Sequence, residues 1–191
     1  MIDPKRSPDE NLRELQEYLK RGASDPKFPF RYATLSTSEA GSGVPSARML
    51  VLRDIDDEGC FVMFSDLRSE KIHELRRNPQ AHLMFWHPRK QVQIGINAEV
   101  QLHQKDSLAE QYMHSVSAHG KQQYTSINSP STPVDSPEAG LKHDKDLFES
   151  NFCILRARPW RFTALQLRRE GHLRLRFQKA GNTWEGGWIT P

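Results

Sequence analysis

Apolar positions along the chain fall into short segments with two different periods. Leu12, Leu15 and Leu19 recur at helical spacing on one face of a segment that starts at Pro8-Asp9-Glu10-Asn11. Asp9 and Glu10 suit the positive start of a helix, Lys20 and Arg21 its negative end, and Gly22 is the predicted stop. From Phe30 the pattern turns to strands. Phe30–Thr37, Ala47–Arg53 and Cys60–Asp66 are predicted strands, separated by a turn-rich loop at Glu39–Pro45 and a hairpin turn at Asp54–Gly59. Ser69 is placed to cap a helix whose buried face is Ile72 and Leu75 and whose end is Asn78-Pro79.

Ala81–Trp86 is the next predicted strand, with a turn at His87–Lys90. Gln91–Leu102 then alternates almost without fault, placing Val92, Ile94, Ile96, Ala98 and Val100 on one face of a long half-buried strand. A helix is expected over Asp106–Val116, an irregular polar loop over 117–140 and a short helix over 141–150. Asn151–Arg158, Arg161–Arg169, His172–Gln178 and Thr183–Trp188 are predicted as four further strands, with hairpin turns at Arg169–Gly171 and Lys179–Asn182. One helix followed by a run of strands with a few inserted helices is not the alternation of a doubly wound sheet. It predicts a mainly β, antiparallel, Greek-key-like barrel with peripheral helices, since closure removes exposed edges. The 191 residues suit one domain, with 1–28 as a helix and linker leading into it.

Composition narrows the function classes. A net charge of +3 from 27 basic and 24 acidic residues is not that of a nucleic-acid coat. No apolar run approaches the roughly 20 residues that cross a bilayer, and the N-terminus has no apolar stretch of signal-peptide type, so a cytoplasmic protein is expected. Cys60 and Cys153 lie inside apolar segments and are expected as buried, reduced thiols. No CxxC or HxxxH spacing suggests a metal site. Nucleophile-elbow, Walker and dinucleotide-binding motifs are also missing from the sequence, and Gly41-Ser-Gly43 is read as a turn. His82 and His114 stand alone and are expected to be structural.

The informative residues are cationic. Arg48 and Arg53 lie five apart in one predicted strand and point to opposite faces unless a bulge intervenes. Lys71 stands on the first turn of a helix that follows Ser65 and Ser69. Free N–H groups, hydroxyls and an ammonium within one turn make a phosphate site; a plain cap at Ser69 and a solvated Lys71 is the other reading. Gln91 and Gln93 offer amides on a polar strand face. Residues 156–176 carry seven arginines with Trp160 and Phe162 between them. They suit an outward or ligand-facing sheet better than an RNA surface.

Taken in order, these segments resemble the pyridoxamine-phosphate oxidase-like family of FMN-binding split barrels, from about Phe30 to Pro191. The Arg-x-Val-Leu-Leu-Lys strand of that family is similar to Arg48-Met-Leu-Val-Leu-Arg53, and its Tyr-Thr-Asn-x-x-Ser-Arg-Lys loop to Phe64-Ser-Asp-Leu-Arg-Ser-Glu-Lys71. Asn78-Pro79 before an apolar strand, Lys90-Gln-Val92, Tyr112-Met-His-Ser115, His172-Leu-Arg-Leu-Arg-Phe177 and Trp184 follow at near-family spacing. The resemblance implies an FMN cofactor. Arg48 and Lys71 would neutralise its phosphate with help from Ser65 and Ser69, and Met49, Leu50 and Val51 would run under the ring. Phe64, Arg53, Gln91 and Arg176 would complete the flavin site, and Tyr112, His172 and Arg174 would face a small substrate. It implies a homodimer with flavin at the interface, for which the apolar face of Gln91–Leu102 was the matching sequence feature, and redox chemistry without assigning a protein acid or base. A non-catalytic flavin module and an RNA-binding barrel are the alternatives.

Departures from the family concern the substrate side. Arg53 stands where the family has Lys, and Glu70 where the oxidases have a phosphate-binding Arg, for which Arg68 is the possible substitute. Val116 replaces a substrate-phosphate Arg, and His172 and Arg174 stand where the oxidases use Arg and His. FMN binding is therefore expected to carry over better than oxidation of pyridoxamine phosphate.

Overall fold

A computed structural model describes residues 1–39 and 41–191, so Ala40 of the predicted loop lies outside the described residues. The strands are β1 (Tyr32–Ser38), β2 (Pro45–Val51), β3 (Asp54–Ile55), β4 (Phe61–Asp66), β5 (Gln80–His87), β6 (Val92–His103), β7 (Phe152–Gln166), β8 (Leu173–Ala180) and β9 (Thr183–Trp188). The helices are α1 (Pro8–Ser24), α2 (Glu70–Arg77), α3 (Ser107–Met113), α4 (Ala118–Gln122) and α5 (Phe148–Asn151).

All strand pairs are antiparallel, in the order β2-β1-β5-β6-β7-β4-β3, with β8 and β9 continuing from β7. The two end strands, β2 and β3, are joined in the chain by Leu52 and Arg53 alone, so the sheet has to curl until its ends meet. Leu52 N donates to Arg31 O at 2.8 Å and Arg53 N to Val62 O at 2.9 Å, which ties this link to both sides of the seam. This is the split β-barrel.

β7 shows how the barrel splits. One of its edges pairs with β6 throughout. The other pairs with β4 over residues 152–157 and with β8 over residues 161–166. Between those parts the register shifts, Asn97 facing Arg161 and Ala98 facing Pro159, so that Trp160 is an extra residue. A proline has no N–H for a ladder and is placed at such bulges. The sequence predicts two strands broken at Pro159; the structure keeps one strand of 15 residues and bends it there.

The alternation of β6 is the spine of the core. Val92, Ile94, Ile96 and Ala98 are fully buried and Val100 is 4% exposed, packed with Leu35, Leu83, Phe85, Phe162 and Phe177. That face fills the barrel of a single chain, so the expectation that it is spare apolar surface for a dimer does not hold. Leu12, Leu15 and Leu19 seat α1 on the barrel. Ser7 caps α1 with a reciprocal bond to Glu10, two residues before Asp9, where the acidic start was read from sequence. Gly22 does not stop α1, which runs on to Ser24. Its role is close approach: a Cβ there would lie 2.5 Å from the Phe30 carbonyl oxygen.

The long segment before β7 is more ordered than its composition suggests. α4 and a short 3-10 turn at Pro137–Leu141 lie inside the predicted irregular loop 117–140. The predicted helix 141–150 is a 3-10 turn at Lys145–Leu147 followed by α5. α3 begins at an Asp106 cap, as expected, but ends at Met113. Cys60 and Cys153 are free and buried. Among the described residues, no helix is long and apolar enough to cross a membrane.

Candidate functional site

Three elements bring the predicted phosphate residues together. Ser65 comes from the end of β4, Lys71 from the first turn of α2, and Ser69 from the residue before α2. Lys71 Nζ donates to Ser69 Oγ at 2.9 Å and to Ser65 Oγ at 3.3 Å. The hydroxyl of Ser69 does not cap its helix, as the sequence suggested. It donates to the Asp66 carbonyl at 2.7 Å, leaving the start of α2 without a side-chain cap. Ser65 and Ser69 are both 4% exposed.

Arg48 enters from β2. Its Nη2 donates to Ser46 Oγ at 2.7 Å and to Glu74 Oε2 at 2.9 Å, and its Nη1 donates to Thr37 Oγ1. Thr37 Oγ1 in turn donates to Glu74. Burial alone would raise the Glu74 carboxyl, but the Thr37 and Arg48 hydrogen bonds and the Arg48 charge hold it below the usual carboxylate range. Lys71 has no carboxylate within ion-pair distance among the described residues. Burial pushes its ammonium below the ordinary lysine value, and the Arg48 charge adds to the effect. The Lys71 ammonium and two buried hydroxyls thus share one small volume, and Arg48, paired with Glu74, is close enough for its charge to act on Lys71. A phosphate monoester dianion fits that donor set.

Arg53 sits apart from this cluster. β2 ends at Val51, so Arg48 and Arg53 are not in one continuous strand. The Arg53 guanidinium lies over the Phe64 ring at 5.2 Å from its centroid, and its Nε is buried without a partner. Tyr112, from α3, meets Phe64 edge-on at 5.8 Å and donates its hydroxyl to Asp54 Oδ2 at 2.7 Å. Burial raises the Tyr112 phenol well above its ordinary value, and the Asp54 hydrogen bond and charge raise it further. Val116 packs in an apolar cluster with Val62, Phe64 and Phe152.

Arg68 is not available to replace the arginine missing at Glu70. It forms a two-pronged pair with Asp66, at 3.0 and 2.7 Å, and donates to the carbonyls of Ser126 at 2.9 Å and Ile127 at 3.3 Å. It fastens the segment before β7 to the loop that carries Ser65 and Ser69.

The remaining expected residues are elsewhere in the chain. Gln91 is not the first residue of a strand. It has φ of +54° in the β5–β6 turn, and its amide donates to the Pro88 carbonyl at 3.5 Å. His172 lies in the β7–β8 hairpin, where its Nδ1 accepts from Arg168 N at 3.2 Å. Arg174 and Arg176 lie on β8. The pairing registers connect Met49, Thr34, Met84, Gly95, Thr163 and Arg176 in one row across six strands. Five strand spacings are about 24 Å along the sheet. Met49 and Arg176 stand at opposite ends of that row, on strands β2 and β8 that do not pair with each other. Of the late arginines, Arg156 pairs with Asp56 and Glu58, Arg158 with Glu58, and Arg168 with Glu170, which breaks up any continuous basic surface.

Sequence reasoning missed Thr37, Ser46, Glu74, Asp54 and the Arg68 fastening. Two of these left a signal: Ser46 lies two residues before Arg48 on the same strand face, and Glu74 lies three after Lys71 on the same helix face. The Arg68 contacts are to backbone carbonyls, which no residue type announces.

Comparison with known proteins identifies the family and the fold. Residues 28–147 match the sequence profile of the family described as pyridoxamine 5'-phosphate oxidase. A pyridoxine/pyridoxamine 5'-phosphate oxidase of Colwellia psychrerythraea is 32% identical over 178 residues, covering 82% of this chain and 76% of that protein. One of Nostoc sp. is 44% identical over 68 residues, which is 36% of this chain and only 31% of that relative's length. Two solved structures share the fold over the whole chain. One is a pyridoxamine 5'-phosphate oxidase-related, FMN binding protein of Nostoc punctiforme, with a TM-score of 0.76, 21% identity and 100% of both chains covered. The other is PhzG of Burkholderia lata in complex with tetrahydrophenazine-1-carboxylic acid, with a TM-score of 0.77, 20% identity and 98% of that chain covered. By its profile match and its relatives, the chain belongs to the pyridoxamine 5'-phosphate oxidase family.

Proposed function

We propose that the protein binds FMN and works as an oxidoreductase on a small substrate, as a homodimer with the flavin at the interface. The observation that carries this reading is the group of Arg48, Ser65, Ser69 and Lys71, in which Lys71 is a half-buried cation with no carboxylate within ion-pair distance among the described residues. The phosphate of FMN is the anion this group suits. FMN supplies hydride or electron transfer, and the protein supplies position, charge and exclusion of water. Arg48, held by Glu74, Thr37 and Ser46, presents a fixed charge to the phosphate. Lys71 and the two hydroxyls close around the same group. The backbone of Met49, Leu50 and Val51 leads from the phosphate end toward Arg53 and Phe64.

The second copy would bring its Arg174 and Arg176 to this cluster; within one chain four strands of the sheet lie between β2 and β8. The outward face of β1, β2 and β5 supports the dimer reading. Tyr32, Met49, Met84 and Trp86 are 37–62% exposed there and line an apolar hollow of about 360 Å³ with Pro29, Thr34 and Pro88. An apolar outward face rimmed by polar residues is a surface for association.

The test is to purify the protein, record its absorption in the flavin region and measure its mass by sedimentation. A yellow protein of twice the chain mass, whose reduced flavin is reoxidised by oxygen and reduced again by a candidate amine, is the expected result. A colourless monomer that takes up no FMN would reject the proposal. A yellow dimer that turns over no substrate would leave the flavin site and favour the non-catalytic module.

A further inference from the structure

On the substrate side of the site, Tyr112 and Asp54 are joined. Tyr112 has one hydroxyl proton and gives it to Asp54 Oδ2 at 2.7 Å. A hydroxyl so used can only accept from a further ligand. Directly beyond that hydroxyl stands a carboxylate, which accepts and does not donate while ionised. α3 and the turn after it add no cation here: Val116 is packed with Val62, Phe64 and Phe152. Arg156, whose charge acts on Tyr112, is already bound by Asp56 at 2.7 Å and Glu58 at 3.0 Å, and Arg53 lies over the Phe64 ring with its Nε buried. An anion that approaches the Tyr112 hydroxyl therefore meets the Asp54 charge and finds the hydroxyl proton already given away. A group that carries its own N–H or O–H meets two acceptors.

We propose that Asp54 is a specificity-determining residue, which turns the Tyr112 end of the site against phosphorylated substrates and toward a neutral or cationic hydrogen-bond donor such as a hydroxyl, amide or amine. This rests on the reading above that Tyr112 faces the substrate. The charge of Asp54, more than its hydrogen bond, does the selecting. Asp54→Asn keeps an acceptor for Tyr112 and removes the charge. Tyr112→Phe keeps the charge and removes its hydrogen-bonded partner. A bond that only held α3 in place would make the two variants behave alike, whereas the charge makes them diverge.

The experiment uses two probes that differ only in the phosphate, pyridoxine and pyridoxine 5'-phosphate. Their binding to the purified protein is measured by calorimetry under nitrogen, with flavin content read from absorbance in the same samples. In the parent protein, pyridoxine 5'-phosphate is expected to bind no more tightly than pyridoxine. Asp54→Asn should tighten the phosphorylated probe at least ten-fold and leave pyridoxine within about two-fold. Tyr112→Phe should not tighten the phosphorylated probe. A parent protein that prefers the phosphorylated probe by ten-fold or more would overturn the proposal. So would an unchanged ratio in Asp54→Asn, or no binding of either probe to both proteins. Missing flavin in every sample would instead count against the FMN reading, because the ratio of the two probes is read whether or not flavin is bound.

Discussion

Lys71 directs its ammonium at the hydroxyl of Ser69, 2.9 Å away, and no carboxylate among the described residues lies within ion-pair distance of it. A half-buried lysine beside Arg48 is strained electrostatically until an anion arrives. Lys71→Ala is expected to weaken FMN by roughly ten-fold to a hundred-fold, since a charge-assisted bond is worth about 1.5–3 kcal/mol. Fluorescence titration of flavin into the two proteins checks this.

The same residue gives a pH signature. Its folded value lies below the ordinary 10.5, so between the two values the unfolded chain holds more protons than the folded one. In the flavin-free protein this contribution therefore rises with pH through that alkaline window. Bound phosphate favours the charged form and returns the proton. Calorimetry in two buffers of different ionisation enthalpy should show proton uptake on FMN binding on the alkaline side and none from Lys71 at neutral pH. Equal heats in both buffers throughout the alkaline range would contradict it.

Glu74 should show a dependence of the same sign, in the acid range. Its folded value lies below 4.5, so its stabilising share is present above 4.5 and is lost as pH falls through the folded value. Glu74→Gln should cost about 1–3 kcal/mol at pH 7. The gap between the two proteins should shrink on acidification below pH 4.5, as measured by urea unfolding at a series of pH values.

Arg68→Ala should loosen the segment before β7. It removes both bonds to the Ser126 and Ile127 carbonyls and leaves Asp66, whose side chain is 8% exposed, without its partner. Limited proteolysis should cut within residues 117–147 faster than in the parent protein, with the barrel strands still protected.

Gly22→Ala separates local preference from packing. In an open helix the change would help by about 1 kcal/mol. Here the new carbon would sit 2.5 Å from the Phe30 oxygen and 2.7 Å from its carbonyl carbon. Both are backbone atoms, so a loss of about 1–3 kcal/mol in urea unfolding is expected.

These residues also show how far the sequence could be read. The alternation from Val92 to Val100 and the leucines of α1 are local signals with one structural meaning each, and they became the core face of β6 and the seat of α1. Pro159 looked like a break because local chemistry forbids a ladder bond there; a bulge between two different partners on the far edge of β7 keeps the strand continuous. Gly22 looked like a stop because its neighbour in space, Phe30, is invisible to a local reading. The cluster of Ser65, Ser69 and Lys71 was legible because the three lie within seven residues. Arg48 joined it through resemblance, while its fixing by Glu74 depends on how α2 lies against β2. The apolar face of β6 was assigned to a dimer because nothing in its pattern tells a barrel interior from an interface.

The central claim is that Arg48, Ser65, Ser69 and Lys71 hold the phosphate of FMN. The most direct measurement compares the affinities of FMN and riboflavin, which differ by that phosphate, for the same flavin-depleted protein. FMN is predicted to bind at least ten-fold more tightly, with the difference largely lost in Lys71→Ala. Riboflavin binding as tightly as FMN to the parent protein would contradict the account.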